Sequence, residues 1–137
     1  MSDFPVTVFH NPACGTSRNV VEAVRQAGYA PQVIEYLEAG WTKEQLLDLL
    51  AQMGARPRDI LRDKGTPAAE LGLTDPSATD DAILEAMVAH PILVNRPIVV
   101  TPKGTALCRP SEAVFPLLDK VPDSFTKEDG ERVSPKS

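Results

Sequence analysis

The stretch "PVTVFHNPACGTSRNVVEAVRQAG", residues 5–28, decides how the chain is built. Its opening, "PVTVF" (5–9), alternates and is rich in β-branched residues, which predicts a strand. Its close, "SRNVVEAVRQAG" (17–28), sets Val20, Val21 and Val24 on one side, as an amphipathic helix requires, and Gly28 suits the helix end. Between them a loop turns at Asn11-Pro12 and carries Cys14 and His10, one each of two cysteines and two histidines. With "QVIEYL" (32–37) as a second strand, the segment is a β-α-β unit.

The next sixty residues read as helices. "TKEQLLDLLAQMG" opens on Thr42 with Gln45 three residues on, a capping box, and repeats Leu46, Leu47, Leu50 and Met53 at helical spacing. "PRDILRDKG" and "PAAELGL" read as short helical turns. "TDDAILEAMVAH" (79–90) starts at a Thr79 cap and is apolar at Ile83, Leu84, Met87 and Val88. Strands return with "IVV" (98–100) and "ALC" (106–108), an antiparallel hairpin around the Pro/Gly turn "TPKGT". "PSEAVFPLLDK" reads as a closing helix. The polar tail, about 121–137, reads as loosely ordered or as a late helix.

The order is βαβ, helices, then ββα. Without the helical insertion, about 42–90, this is a thioredoxin-like α/β plan: one domain over 1–137, with a mixed four-stranded sheet and flanking helices. In that plan a cis-proline opens the third strand and faces the reactive loop. Pro97, in "NRPIVV", is placed to be that proline.

Composition narrows the function. The chain has 137 residues, is 42% hydrophobic and 24% charged, and has a formal net charge of −5. The acidic balance argues against nucleic acid, whose phosphates need a basic face. No apolar run reaches membrane-helix length and "MSDFPVTVFH" lacks a basic leader, so a cytoplasmic location is expected. Two widely spaced cysteines form neither a disulfide scaffold nor a CxxC metal pair, and no metal site is expected. Both thiols should be free in a reducing compartment.

Cys14 falls between a strand and the first turn of a helix, where unpaired backbone N–H groups point outward. That setting lowers a thiol's pKa from about 8.5 toward the range of roughly 3.5–7.5. His10 and Arg18 can add positive charge, and Thr16 and Ser17 can donate hydrogen bonds. Asn11 reads as an organiser of the loop. Spacing excludes two chemistries. Cys14-Gly-Thr-Ser17 is not a Cys-x-x-Cys dithiol, and Val20 stands where a phosphatase-type loop needs arginine six positions after its cysteine. The site has a single thiol, so reducing equivalents must come from an external thiol.

"HNPACGTSRN", followed by "HPILVNRPIVVTPKGTALCRPSE", resembles the glutaredoxin-dependent arsenate reductases, from about Val6 to Leu118 and weakly in "FTKEDGE". The resemblance implies that Cys14 attacks arsenate to give a thioarsenate adduct. Glutathione and glutaredoxin would then supply electrons, and arsenite would leave, with no metal, flavin or nucleotide bound. By position it implies Arg62, Arg96 and Arg109 as arsenate ligands, with His10 beside the nucleophile. Arginine's planar fork binds tetrahedral oxyanions bidentately and offsets repulsion between thiolate and substrate. Arg62 would bring the helical insertion to the site as a wall; from the sequence without the family it reads as a solvated helix residue. Arg56 and Arg58 read as surface residues. Ser17 serves as helix cap and as thiol neighbour. Cys108, in a strand beside Leu107, reads as buried and inert.

Two other functions fit the same plan. One is a thiol-stress transcription regulator that binds RNA polymerase; such proteins usually carry Cys-x-x-Cys and lack the arginine trio. The other is a glutathione-dependent reductase with another substrate.

Overall fold

Strand β1 (Thr7–His10) is paired on both sides, parallel to β2 (Gln32–Glu35) and antiparallel to β3 (Ile98–Thr101). The hairpin partner of β3, β4 (Gly104–Leu107), completes a mixed sheet of order β2-β1-β3-β4. This is the thioredoxin-like sheet expected from the sequence. The computed structural model describes residues 4–135. They form two compact units, one of the segments up to Glu35 and from Arg96 onward, the other of Tyr36–Asn95.

In the first unit, helix α1 (Gly15–Gln26) links β1 to β2, and Val20 and Val24 are fully buried as the apolar spacing predicts. They join Val8, Val99, Cys108, Val114 and Phe115 in one hydrophobic core. The Arg96–Pro97 bond is cis at the entrance to β3, and Arg109–Pro110 beyond β4 is cis as well. Strand β4 ends at Leu107, so Cys108 lies just outside it, with its N–H donating to Pro97 O at 2.9 Å.

"PSEAVFPLLDK" forms the closing helix read from the sequence, as a 3₁₀ helix, Ser111–Leu117, with Pro116 inside it. The tail, read as loosely ordered or as a late helix, holds no helix among its described residues but two short strands. Strands β5 (Phe125–Thr126) and β6 (Arg132–Val133) pair antiparallel. Phe125, 1% exposed, meets Phe115 edge-on at 6.1 Å, and an aromatic anchor of this size fixes the segment. Lys127 Nζ adds ion pairs to Glu112 at 2.8 Å and Glu131 at 3.2 Å.

In the second unit, α2 (Tyr36–Ala39) follows β2 directly, so the strand predicted over 32–37 ends at Glu35. Tyr36 turns into the core of this unit and donates its hydroxyl to Val94 O at 2.7 Å. Helix α3 (Lys43–Met53) starts at Thr42, whose Oγ1 accepts the Gln45 N–H at 3.0 Å, and ends at Gly54, in the left-handed region (φ 63°). Its buried stripe is Leu46, Leu49 and Leu50; Leu47, expected in that stripe, is 47% exposed, one step off the face. Helix α4 (Asp80–Ala89) is capped by Thr79 and buries Ile83, Leu84 and Met87, while Val88 faces out. Short 3₁₀ turns cover Pro57–Ile60 and Pro91–Leu93. "PAAELGL" is a run of hydrogen-bonded turns, with the Leu71 N–H donating to Pro67 O at 3.0 Å. Among the described residues no helix is long and apolar enough to cross a membrane.

Candidate active site

Cys14 is the N-cap residue of α1, with extended backbone angles (φ −99°, ψ 122°), and it is buried. Its sulfur closes no capping hydrogen bond, but the Ser17 backbone N–H acts on it in the direction that favours the thiolate. Burial pushes the thiol's pKa up. The Ser17 N–H, then the guanidiniums of Arg96 and Arg109, outweigh that and bring it down to about 7. Near neutrality a large share of this sulfur is therefore ionised. Arg109 Nη1 lies 3.6 Å from Cys14 Sγ and also donates to Arg96 O at 2.8 Å. Arg96 itself is 9% exposed and enters the site from the residue before the cis-proline.

The loop before the helix is tied down locally. Asn11 Oδ1 accepts the Ala13 N–H at 2.9 Å, and Asn11 O accepts the Cys14 N–H at 3.0 Å. Asn11 thus organises the turn, as its position in the sequence suggests. The Ser17 hydroxyl is wholly buried. It accepts the Asn11 N–H at 3.1 Å and sits 2.8 Å from His10 Nδ1. The hydroxyl keeps a second lone pair and its hydrogen for His10 Nδ1, and which of the two groups donates follows the imidazole tautomer.

His10 is held away from the cationic form read from the sequence, whereas Arg18 stays a cation that feels Cys14 and also pairs with the tail. Burial, the largest effect, lowers the His10 pKa; Glu35 opposes it, and Arg18 and Arg25 reinforce it. The ring is therefore held toward its neutral form, with Nδ1 against the Ser17 hydroxyl. Arg18 turns to the tail and pairs bidentately with Glu128, Nε to Oε2 at 2.8 Å and Nη2 to Oε1 at 3.0 Å. Glu128 carries no motif and lies in the tail, so sequence reasoning passed over it. The one signal was the polar "FTKEDGE" following an otherwise unexplained Phe125. A cavity of about 370 Å³ opens beside α1, lined by His10, Arg18, Arg25 and Glu128 among others.

The first unit thus brings together Cys14, Ser17, His10, Arg96 and Arg109. Arg62 belongs to the second unit. There its Nη1 donates to Asn95 Oδ1 at 3.3 Å and its Nε to Lys64 O at 3.2 Å. Cys108 is fully buried, and burial pushes its thiol up to about 12, so it is inert at physiological pH. Among the described residues, no group of three or more His, Cys, Asp or Glu is gathered to hold a metal ion.

The sequence profile of the ArsC family matches residues 9–115. The arsenate reductase ArsI1 of Synechocystis sp. is 57% identical over 134 residues, spanning 97% of this chain and 93% of that protein. The arsenate reductase of Escherichia coli strain K12 is 52% identical over 129 residues, 93% of this chain and 92% of that one. The solved arsenate reductase structure from Vibrio cholerae superposes with a TM-score of 0.80 at 39% identity, covering 85% of this chain and 100% of that chain.

Proposed function

The chain belongs to the ArsC family, and from that membership we infer that it is an arsenate reductase with Cys14 as its nucleophile. The observation that carries the assignment of the nucleophile is the placement of Cys14 at the start of α1, 3.6 Å from the Arg109 guanidinium, with its thiol lowered to about 7.

The thiolate attacks arsenic, an S–As bond forms, and one arsenate oxygen leaves as water or hydroxide. Arg96 and Arg109 receive the remaining oxygens. Fixed guanidiniums offset the repulsion between the two anions and stabilise charge as it moves onto oxygen. Glutathione then attacks the Cys14 sulfur, the S–As bond breaks with its electron pair going to arsenic, arsenite leaves as As(III), and glutaredoxin reduces the mixed disulfide left on Cys14. A single-thiol site needs such an external donor because Ser17 cannot resolve the disulfide and Cys108 is buried and protonated. A reducing cytoplasm is the compartment this chemistry requires.

The test is arsenate-dependent NADPH oxidation coupled through glutathione, glutathione reductase and glutaredoxin. Wild type should turn over, Cys14→Ser should not, and omitting glutathione or glutaredoxin should each stop the reaction. Turnover of disulfides but not arsenate would assign another substrate. Absence of all turnover, with binding to RNA polymerase, would favour a regulator of the same fold.

A further inference from the structure

The loop that presents Cys14 is held mostly from within. Its bonds to Ser17, Asn11 Oδ1 and Asn11 O, and the Arg18 N–H to Cys14 O at 3.0 Å, all stay inside residues 10–18. The Pro12 carbonyl is different. It accepts from Arg18 Nη1 at 2.8 Å, and Glu128 of the tail holds the same guanidinium on two other nitrogens. Glu128 is itself placed by its own N–H donating to Asn19 Oδ1 at 3.0 Å, by the neighbouring Lys127 ion pairs, and by buried Phe125 in β5.

We propose that Glu128 is a positioning residue: it fixes the Arg18 guanidinium against the Pro12 carbonyl and so latches the Cys14 loop from the β5–β6 hairpin. The proposal rests on the reading of Cys14 as nucleophile. A guanidinium is a rigid plane, so two of its nitrogens held by one carboxylate fix where the third points. The loop end carrying Pro12 is thereby set relative to α1, and with it the approach of Sγ to the Ser17 N–H and Arg109. The charged groups that act on the sulfur are Arg96 and Arg109 from the ends of β3 and β4 and Arg18 from α1; His10 stands behind Ser17.

Positioning and simple charge predict opposite signs. Were Glu128 merely a charge, its loss would leave Arg18 an uncompensated cation, and the thiol would ionise more readily. As a latch, its loss frees the Pro12 carbonyl, loosens the contacts that favour the thiolate, and makes the thiol ionise less readily.

The experiment is a titration of thiolate absorbance in the full chain without arsenate, for wild type, Glu128→Ala, Glu128→Gln and Arg18→Lys. Cys108 stays protonated until about pH 12 and does not interfere. All three variants should move the Cys14 midpoint upward by about half a pH unit, about threefold less thiolate below it. The kcat/KM for arsenate should fall by the same factor below about pH 7 and recover above it. Added salt should shift wild type in the same direction and Glu128→Gln little, because the pair is exposed. An unchanged or lowered midpoint in variants with wild-type circular dichroism would overturn the latch. If Glu128→Ala does not fold, Glu128→Gln carries the test, since it keeps the side chain's size and the Asn19 contact. The titration needs no substrate, so its failure leaves the reductase assignment intact, and loss of wild-type turnover would leave the titration standing.

Discussion

Arg109 Nη1 stands 3.6 Å from Cys14 Sγ while the same nitrogen is anchored on Arg96 O at 2.8 Å, so one of the two guanidiniums that act on the sulfur is held by the backbone of the residue that carries the other. Arg109→Ala should raise the thiol midpoint and cut kcat/KM for arsenate by about 10–100-fold, the range for losing a charge-assisted hydrogen bond. Arg109→Lys keeps the charge and loses the fork, and should recover the midpoint better than the turnover. Thiol titration beside steady-state kinetics separates the two effects.

The pH dependence follows from a thiol lowered to about 7. The rate of alkylation by iodoacetamide, which carries no charge, should rise about tenfold per pH unit below that midpoint and level off above it. Stability should move with it. A group whose folded pKa lies below its unfolded value stabilises fully above the unfolded value, and that contribution is lost as pH falls through about 7. Between about pH 7 and 9, then, wild type should gain stability in urea melts that Cys14→Ser does not gain.

Native protein treated with iodoacetamide at neutral pH should carry one adduct, on Cys14. Cys108, buried and pushed up to about 12, should react after unfolding. Cys108→Ser should therefore retain near-wild-type turnover with all electrons entering from outside the chain. A large loss of kcat in a folded Cys108→Ser protein would make that sulfur a resolving thiol.

Ser17→Ala should do more than trim a cap. It leaves the Asn11 N–H and His10 Nδ1 without the hydroxyl they share, at a cost of about 1–3 kcal/mol. The loop loosens along with the stability, and the Cys14 midpoint should rise. His10→Gln, which can still accept from the hydroxyl, should cost less on both counts.

Phe125→Ala should destabilise the protein by about 3–5 kcal/mol, as emptying an aromatic site in a packed core does. A denaturant melt checks it. A loss near zero would mean that the tail does not belong to the core.

The sheet and α1 were legible because β-branched alternation in "PVTVF" and "IVV" and the helical spacing of Val20, Val21 and Val24 are local signals. The same holds for the Thr42 and Thr79 caps. The tail differs because a long-range contact decides it: Phe125 packs on Phe115 and the polar segment after it folds as a hairpin, which neither loose order nor a late helix anticipates. The closing helix was legible as a helix, and its 3₁₀ form is a choice that apolar spacing does not distinguish. At the site, Cys14 and Arg96 carry local signals, a thiol at a helix start and an arginine in an apolar run, whereas Arg109 was pointed to by the family resemblance. The partners of His10 and Arg18 were not, because a charge in sequence does not reveal which neighbour it will face. Arg18 faces the tail, and His10 is held toward neutrality by burial.

The sulfur is made early in the chain, whereas the guanidiniums that sharpen it arrive only after the whole of Tyr36–Asn95 has been synthesised. A chain lacking everything after Asn95 would keep the Ser17 N–H but neither guanidinium, so the full lowering of the sulfhydryl to about 7 belongs to the complete first unit.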